Sequence, residues 1–150
     1  ISWYEAVAFA NWCHSILQNH IKVAIRLPTR KEWLVAAGFG VSAGSPHRSK
    51  VDYQAANFLE SAIYHTTAVG MYPYRKGRFG VEDMLGNVWE WCFGDDHNND
   101  EDEFEPVMMG GSYFTAMNTG GQWPPELKTR PEFRASDYGF RVCAVPLQNR

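Results

Sequence analysis

The side chains of this sequence best suited to metal chemistry are Asn87 and Glu90, an amide and a carboxylate in an otherwise apolar segment. Amide oxygens, backbone carbonyls and carboxylates are the hard ligands that Ca²⁺ prefers. Asn87, the backbone carbonyls of the Gly-Asn corner and Glu90 therefore form a candidate calcium site. In a simpler interpretation, Asn87 and Glu90 only hydrogen-bond the turn and a neighbouring loop, because buried polar groups need partners.

The residues around Glu90 predict a strand with two different faces. Successive side chains of a strand point to opposite sides, so a period of two separates an aromatic set from a mixed set. The aromatic face is Trp89, Trp91 and Phe93, and the opposite face is Val88, Glu90 and Cys92. Because one indole can bury roughly 150–250 Å², we expect this strand at the centre of the core, with a partner for Glu90 close by.

Two capping boxes predict helices that precede this strand in the sequence. Ser2 followed by Glu5 can begin one helix, and apolar residues recur at helical spacing after it. Thr29 followed by Glu32 can begin a second helix in the same way. Residues 22–26 alternate like a short strand between the two helices.

Composition indicates one domain with a sizeable core. The sequence has 150 residues, 45% of them hydrophobic, and a chain of this size buries roughly 70% of its unfolded surface. The net charge of −3 gives no indication of a nucleic-acid surface, and no apolar run is long enough to span a membrane. The acidic residues between positions 94 and 105 indicate an exposed loop, since like charges repel and stay hydrated.

The three cysteines, Cys13, Cys92 and Cys143, lack the paired spacing of zinc or redox sites. Each lies among apolar residues, where a free thiol behaves as a small hydrophobic side chain. We interpret them as buried and inert. Free thiols of this kind favour a reducing compartment such as the cytoplasm.

Four ordered motifs resemble those of the formylglycine-generating-enzyme, or sulfatase-modifying factor, superfamily. They lie in residues 1–6, 26–33, 79–91 and 110–113, and the last is completed by 139–142. The resemblance implies an α+β, C-type-lectin-like fold of the formylglycine-enzyme type, with two helices packed on small, twisted, mostly antiparallel sheets and much irregular loop. It implies a single domain over residues 1–150, which we expect to be the C-terminal part of a longer protein because residue 1 lies inside a motif.

The same resemblance bears on catalysis. Catalytic members place a copper-binding pair of cysteines after the Gly-Gly-Ser turn, where they oxidise a substrate cysteine, and the matching positions here are Thr115 and Gly120. Neither residue supplies a thiolate, the nucleophile and soft ligand of that chemistry. The superfamily's iron sulfoxide synthases take their histidines from a separate domain, and the five histidines here are scattered. We expect no copper or iron and no catalysis; a metal-dependent oxidoreductase of either type is the alternative.

Two calcium sites are implied by the resemblance. The second of them matches Asn87, the Val88 carbonyl and Glu90, whose side-chain ligands are all retained. The first begins at the position of Asn57, but Tyr64 or His65 stands where its Asp is expected. Asn57 is therefore the weaker candidate ligand.

A non-catalytic branch of the superfamily, the variable proteins of diversity-generating retroelements, suggests a binding role. In that branch the segment between the Gly-Gly-Ser turn and the Gly-Phe-Arg motif presents the ligand-binding surface. Aromatic, Arg and small polar side chains, the usual mixture at recognition surfaces, occur here at Tyr113, Phe114, Thr115, Met117, Asn118, Gln122, Trp123, Arg134, Ser136, Asp137 and Tyr138. We expect a protein or small-molecule ligand. A recognition domain without diversification, or core roles for some of the aromatics, are the alternatives.

Overall fold

The computed structural model describes residues 1–39, 56–72, 79–94, 106–117 and 124–147. Two α-helices and six short strands follow one another along these residues, with a 3₁₀ turn at Leu59–Ser61. The elements are α1 (Trp3–Leu17), β1 (Val23–Arg26), α2 (Arg30–Ala36), β2 (Trp89–Cys92), β3 (Val107–Met109), β4 (Glu126–Lys128), β5 (Tyr138–Phe140) and β6 (Cys143–Pro146).

The described strands form two small sheets. One is the antiparallel pair β1 and β6, and the other has the order β4-β3-β2-β5. Every pairing is antiparallel except that of β2 with β5. This arrangement confirms the predicted α+β class, with two helices on small, mostly antiparallel sheets and much irregular loop.

Both predicted helix starts are confirmed, with complete capping boxes. The backbone N–H of Glu5 donates to the Ser2 hydroxyl, and the Glu5 carboxylate accepts from the Ser2 N–H in return. Thr29 and Glu32 make the same reciprocal pair at the start of α2. These pairs satisfy amides that a helix start leaves free.

The predicted alternation of β2 is confirmed, and both of its faces are buried. Trp91 lies in a first core cluster with Ala6 and Ala10 of α1. Cys92, the next residue, lies in a second cluster with Trp33 of α2. Both β2 and β3 contribute residues to the two clusters, and β2 places Glu90 beside Trp33 of α2.

The three cysteines are free, but only one of them is buried. Burial raises the pKa of Cys92 well above its usual value and also raises the pKa of Cys143. Cys13 and Cys143 are half-buried, which corrects the expectation that all three are buried. The residues the structure describes include no helix long and apolar enough to cross a membrane. Most of the acidic segment, residues 95–105, lies outside the described residues.

Candidate functional site

The centre of the candidate site is the glycine turn that follows β3. Gly110 and Gly111 have φ values of 96° and 77°, a backbone region that favours glycine. The carbonyl of Gly110 accepts from the N–H of Gly86 at 2.9 Å, and the N–H of Tyr113 donates to the carbonyl of Asn87 at 3.1 Å. The glycine turn is therefore attached to the Gly-Asn corner that precedes β2.

Ser112 organises the interior of this turn. Its hydroxyl donates to Asp137 Oδ2 at 2.7 Å and accepts from the N–H of Phe114 at 3.2 Å. Its own N–H donates to the hydroxyl of Thr115 at 2.9 Å. Thr115 stands where the catalytic enzymes of the superfamily are expected to have a cysteine, and here its hydroxyl closes the turn.

Two further contacts hold the segment before β5, one to this turn and one to β2. The phenol of Tyr113 donates to the hydroxyl of Ser136 at 3.0 Å, and the carbonyl of Asp137 accepts from the N–H of Trp89 at 2.8 Å. The structure thus brings together the two ends of the predicted ligand-binding segment. Their relative position is set by hydrogen bonds to β2.

The predicted binding residues differ in their access to solvent. Tyr113, Met117 and Asp137 are buried and lie beneath the surface. Five others are exposed or half-buried, and we call this set the recognition surface: Phe114, Thr115, Arg134, Ser136 and Tyr138. Gly120 and the predicted binding residues Asn118, Gln122 and Trp123 lie outside the described residues.

Phe114 is the largest apolar group of the recognition surface. It is 53% exposed, and its ring packs on that of Tyr113 with centroids 4.4 Å apart. Arg134 pairs with Glu5 at 2.9 Å, and both side chains remain largely exposed. Because exposed ion pairs contribute little, Arg134 can exchange Glu5 for another acceptor without a large loss of stability.

The partner of Glu90 is Arg141. The guanidinium donates from Nε to Oε2 at 2.6 Å and from Nη2 to Oε1 at 2.5 Å, while the indole of Trp33 also donates to Oε2 at 2.6 Å. Burial disfavours the charge on Arg141, but the hydrogen bonds and negative charge of Glu90 outweigh it and raise the pKa of Arg141. A calcium ion at Glu90 would compete with this guanidinium for both oxygens.

The amides of Asn57 and Asn87 are bonded to each other and to the chain. Asn87 Oδ1 accepts from Asn57 Nδ2 at 3.2 Å and from the N–H of Thr67 at 2.9 Å. Asn57 Nδ2 also donates to the carbonyl of His65 at 2.8 Å, and Asn57 Oδ1 accepts from Ser61 at 2.9 Å. No group of three or more His, Cys, Asp or Glu within the described ranges is arranged to hold a metal. Calcium binding, at either place, stays a prediction.

Three side chains of the site were absent from the sequence-based site prediction: Trp33, Ser112 and Arg141. Each lies inside a motif that carries the family resemblance, which is the signal that could have found them. The sequence predicts that Glu90 has a partner close by. That partner is Arg141, which belongs to the motif at residues 139–142.

Comparison with known proteins identifies relatives over most of the sequence. The sulfatase-modifying factor enzyme 1-like domain family matches residues 1–145. The serine/threonine-protein kinase pkn1 of Chlamydia pneumoniae is 37% identical over 93 residues, which are 61% of this chain and 13% of the kinase. The hercynine oxygenase of Mycobacterium tuberculosis is 29% identical over 154 residues, covering 94% of this chain and 33% of the oxygenase. The chain therefore spans a third or less of the length of these two relatives.

Solved structures show the same architecture. The Treponema denticola variable protein 1 superposes with a TM-score of 0.74 over 98% of this chain and 70% of its own, at 21% identity. At that identity the likeness concerns the fold alone.

Proposed function

Since this chain belongs to the sulfatase-modifying factor enzyme 1-like family, we propose that it is a non-catalytic binding module whose protein or small-molecule ligand contacts the recognition surface. The variable proteins of diversity-generating retroelements would be its functional counterparts. Loop recognition on a rigid scaffold is the proposed mechanism, because a surface ordered before binding loses little entropy when the ligand arrives.

The chemistry at Thr115 carries this proposal. A hydroxyl cannot replace the thiolate that binds copper and attacks a substrate cysteine. The Thr115 hydroxyl is moreover hydrogen-bonded to the N–H of Ser112 inside the turn. Cys92 offers no substitute, because its thiol is buried and its pKa is raised well above the usual value.

The construction of the recognition surface supports binding. Phe114 is exposed above Tyr113, and the Tyr113 phenol is held by Ser136. Rigid aromatic side chains supply contact area at low entropic cost, and Arg and Ser beside them supply adjustable hydrogen bonds. This scaffold is held by hydrogen bonds among protein groups, so the proposal does not depend on calcium.

The binding proposal can be tested by panning a phage-displayed peptide library against the purified protein. We expect selected peptides to lose about tenfold or more in affinity with Phe114→Ala, as for an aromatic anchor at an interface. Phe79→Ala is the matched control, since Phe79 is 65% exposed and lies outside the recognition surface. Binders that respond equally to both variants, or to neither, would contradict the assignment of this surface.

The alternative is a metal-dependent oxidoreductase, favoured by the similarity to hercynine oxygenase over 94% of the chain. It can be tested by incubating the protein with a cysteine-containing peptide, oxygen and either copper(I) or iron(II). Mass spectrometry would then follow oxidation of the peptide. We expect the peptide to remain at the level of a metal-only control, and turnover above that control would overturn the non-catalytic proposal.

A further inference from the structure

The chain between the end of β4 and the start of β5 is cationic, although the whole chain has a net charge of −3. Residues 128–136, which we call the cationic segment, contain three cationic side chains and one carboxylate. These are Lys128, Arg130, Arg134 and Glu132, and all four residues are exposed. Because the cationic segment includes two residues of the recognition surface, a ligand bound there meets an excess of positive charge.

Arg134 holds an ion pair that it can give up. Its Nη2 lies 2.9 Å from Oε1 of Glu5, and the side chains of Arg134 and Glu5 are 65% and 46% exposed. An exposed pair of this kind contributes little to stability. The planar guanidinium matches the two oxygens of a carboxylate, so Arg134 is suited to bind a carboxylate brought by a ligand.

Glu5 keeps its other partners when Arg134 leaves it. Its Oε2 accepts from the N–H of Ser2 at 2.8 Å and from the Ser2 hydroxyl at 2.9 Å. These hydrogen bonds with Ser2 are the main cause that lowers the pKa of Glu5, and the charge of Arg134 is a lesser one. Glu5 therefore stays ionised, and the start of α1 stays capped, when Arg134 turns to a ligand.

The cationic segment is ordered by contacts within the protein. The carbonyl of Pro131 accepts from the N–H of Trp3 at 2.9 Å, and the N–H of Phe133 donates to the carbonyl of Arg130 at 3.1 Å, which closes a turn. The guanidinium of Arg130 lies over the ring of Phe133, 5.9 Å from its centroid, so an exposed aromatic ring restrains this charge. A cationic surface ordered in advance loses less entropy on binding.

We propose that the recognition surface binds an acidic peptide, of which one carboxylate replaces Glu5 as the partner of Arg134 and one apolar side chain packs on Phe114. This inference rests on the binding function proposed above. Tyr113 connects the two contacts, because its ring packs on Phe114 and its phenol donates to Ser136, two residues after Arg134. Charge complementarity selects the acidic partner and speeds its association.

Peptides selected by panning a phage-displayed library for binding that depends on Phe114 test the ligand class. We expect them to be enriched in Asp and Glu over the unselected library. Their affinity should fall as NaCl is raised from about 50 to 500 mM, because salt screens exposed charges.

One selected peptide, labelled with fluorescein, then serves as the probe in fluorescence polarisation. Arg134→Gln should weaken its binding about fivefold or more, the loss of a hydrogen bond between charged groups. Lys22→Gln is the matched control, since it removes an exposed cation outside the cationic segment, and it should leave the affinity nearly unchanged. Circular dichroism confirms that each variant is folded.

Glu5→Gln tests the exchange of partners. Gln can still complete the capping box, but it no longer competes as an anion for Arg134. The affinity for the same peptide should therefore rise about two- to fivefold, the worth of an exposed ion pair. That rise should vanish when Arg134→Gln is also present. Weaker binding by Glu5→Gln would overturn the exchange, because it would mean that Glu5 holds Arg134 in its binding position.

The acidic ligand and the binding function fail in different ways. Peptides that depend on Phe114 but lack acidic residues, or that respond equally to Arg134→Gln and Lys22→Gln, would overturn the acidic ligand and leave the binding function standing. A selection that yields no peptide dependent on Phe114 would contradict the binding function, and the acidic ligand with it.

Discussion

At the scale of single residues, the ion pair of Arg141 with Glu90 is the main electrostatic contact of the described core. The carboxylate is almost fully buried, and Arg141 also donates to the carbonyls of Glu82 and Asp83. A buried charge without its partner is strongly destabilising, whereas an exposed one is not. Arg141 therefore has a positioning role that joins β2 to the loop before it.

Arg141→Ala should lower the free energy of unfolding by about 3–5 kcal/mol, because it leaves the Glu90 carboxylate buried and unpaired. Arg134→Ala is the matched control, since it removes an exposed partner of Glu5, and should cost at most about 1 kcal/mol. Urea denaturation monitored by tryptophan fluorescence measures both values. Equal costs for the two variants would show that the buried pair is not stabilising.

The Glu32 carboxylate is expected to make a pH-dependent contribution to the free energy of unfolding. The hydrogen bond from Arg26, opposed by burial and aided by the Thr29 N–H, lowers the pKa of Glu32 to about 2. Because this folded-state pKa lies below the usual value of 4.5 for a Glu carboxyl, the contribution is complete above pH 4.5 and is lost as the pH falls towards 2.

Glu32→Gln should therefore cost on the order of 1 kcal/mol at pH 6, a value kept small because the ion pair is partly exposed. That cost should shrink progressively between pH 4.5 and 2. Thermal or urea unfolding of both proteins across this range measures the change. A cost that is the same at pH 6 and pH 2 would contradict the role of the charged carboxylate.

At the scale of elements, the corner before β2 requires a glycine at position 86, because the backbone there lies against the backbone of Asn57. Gly86 has a φ of 73°, and a Cβ there would lie 2.6 Å from the carbonyl oxygen of Asn57. Gly80 has a similar φ of 75°, but a Cβ there would meet nothing within 4 Å. The two glycines thus share a backbone conformation that would strain a substituted residue, and they differ in the contacts that an added Cβ would make.

Gly80→Ala should cost about 1–2 kcal/mol, the penalty of a side chain in the left-handed region. Gly86→Ala should cost about 1–3 kcal/mol more, because the added methyl group also overpacks the corner. Chemical denaturation of the two variants isolates the contact with Asn57. Similar costs at both positions would mean that the corner can move away from Asn57 without a loss of stability.

At the scale of the whole molecule, β2 links the two core clusters. The segments that carry the recognition surface are attached to β2 by the hydrogen bond from Trp89 to Asp137, and to the corner before β2 by the hydrogen bond from Tyr113 to Asn87. The candidate site therefore rests on a strand that is buried on both faces.

The sequence by itself determined the features that depend on neighbouring residues. The capping boxes at Ser2 and Thr29 join residues three apart, and the alternation along β2 follows from the period of a strand. The family motifs predicted the fold class, because they occur in the family's order along nearly the whole chain. These predictions hold because local hydrogen bonding and side-chain direction need no knowledge of distant segments.

Only the tertiary structure decided the partners that lie far apart in sequence. Glu90 and Arg141 are separated by 51 positions, and no local pattern distinguishes Arg141 from another cation as the partner. The burial of Tyr113 and Asp137, and the exposure of Phe9 and Trp12, were also decided there. An apolar residue predicts burial against something, but packing alone determines which apolar faces the chain covers and which it leaves to solvent.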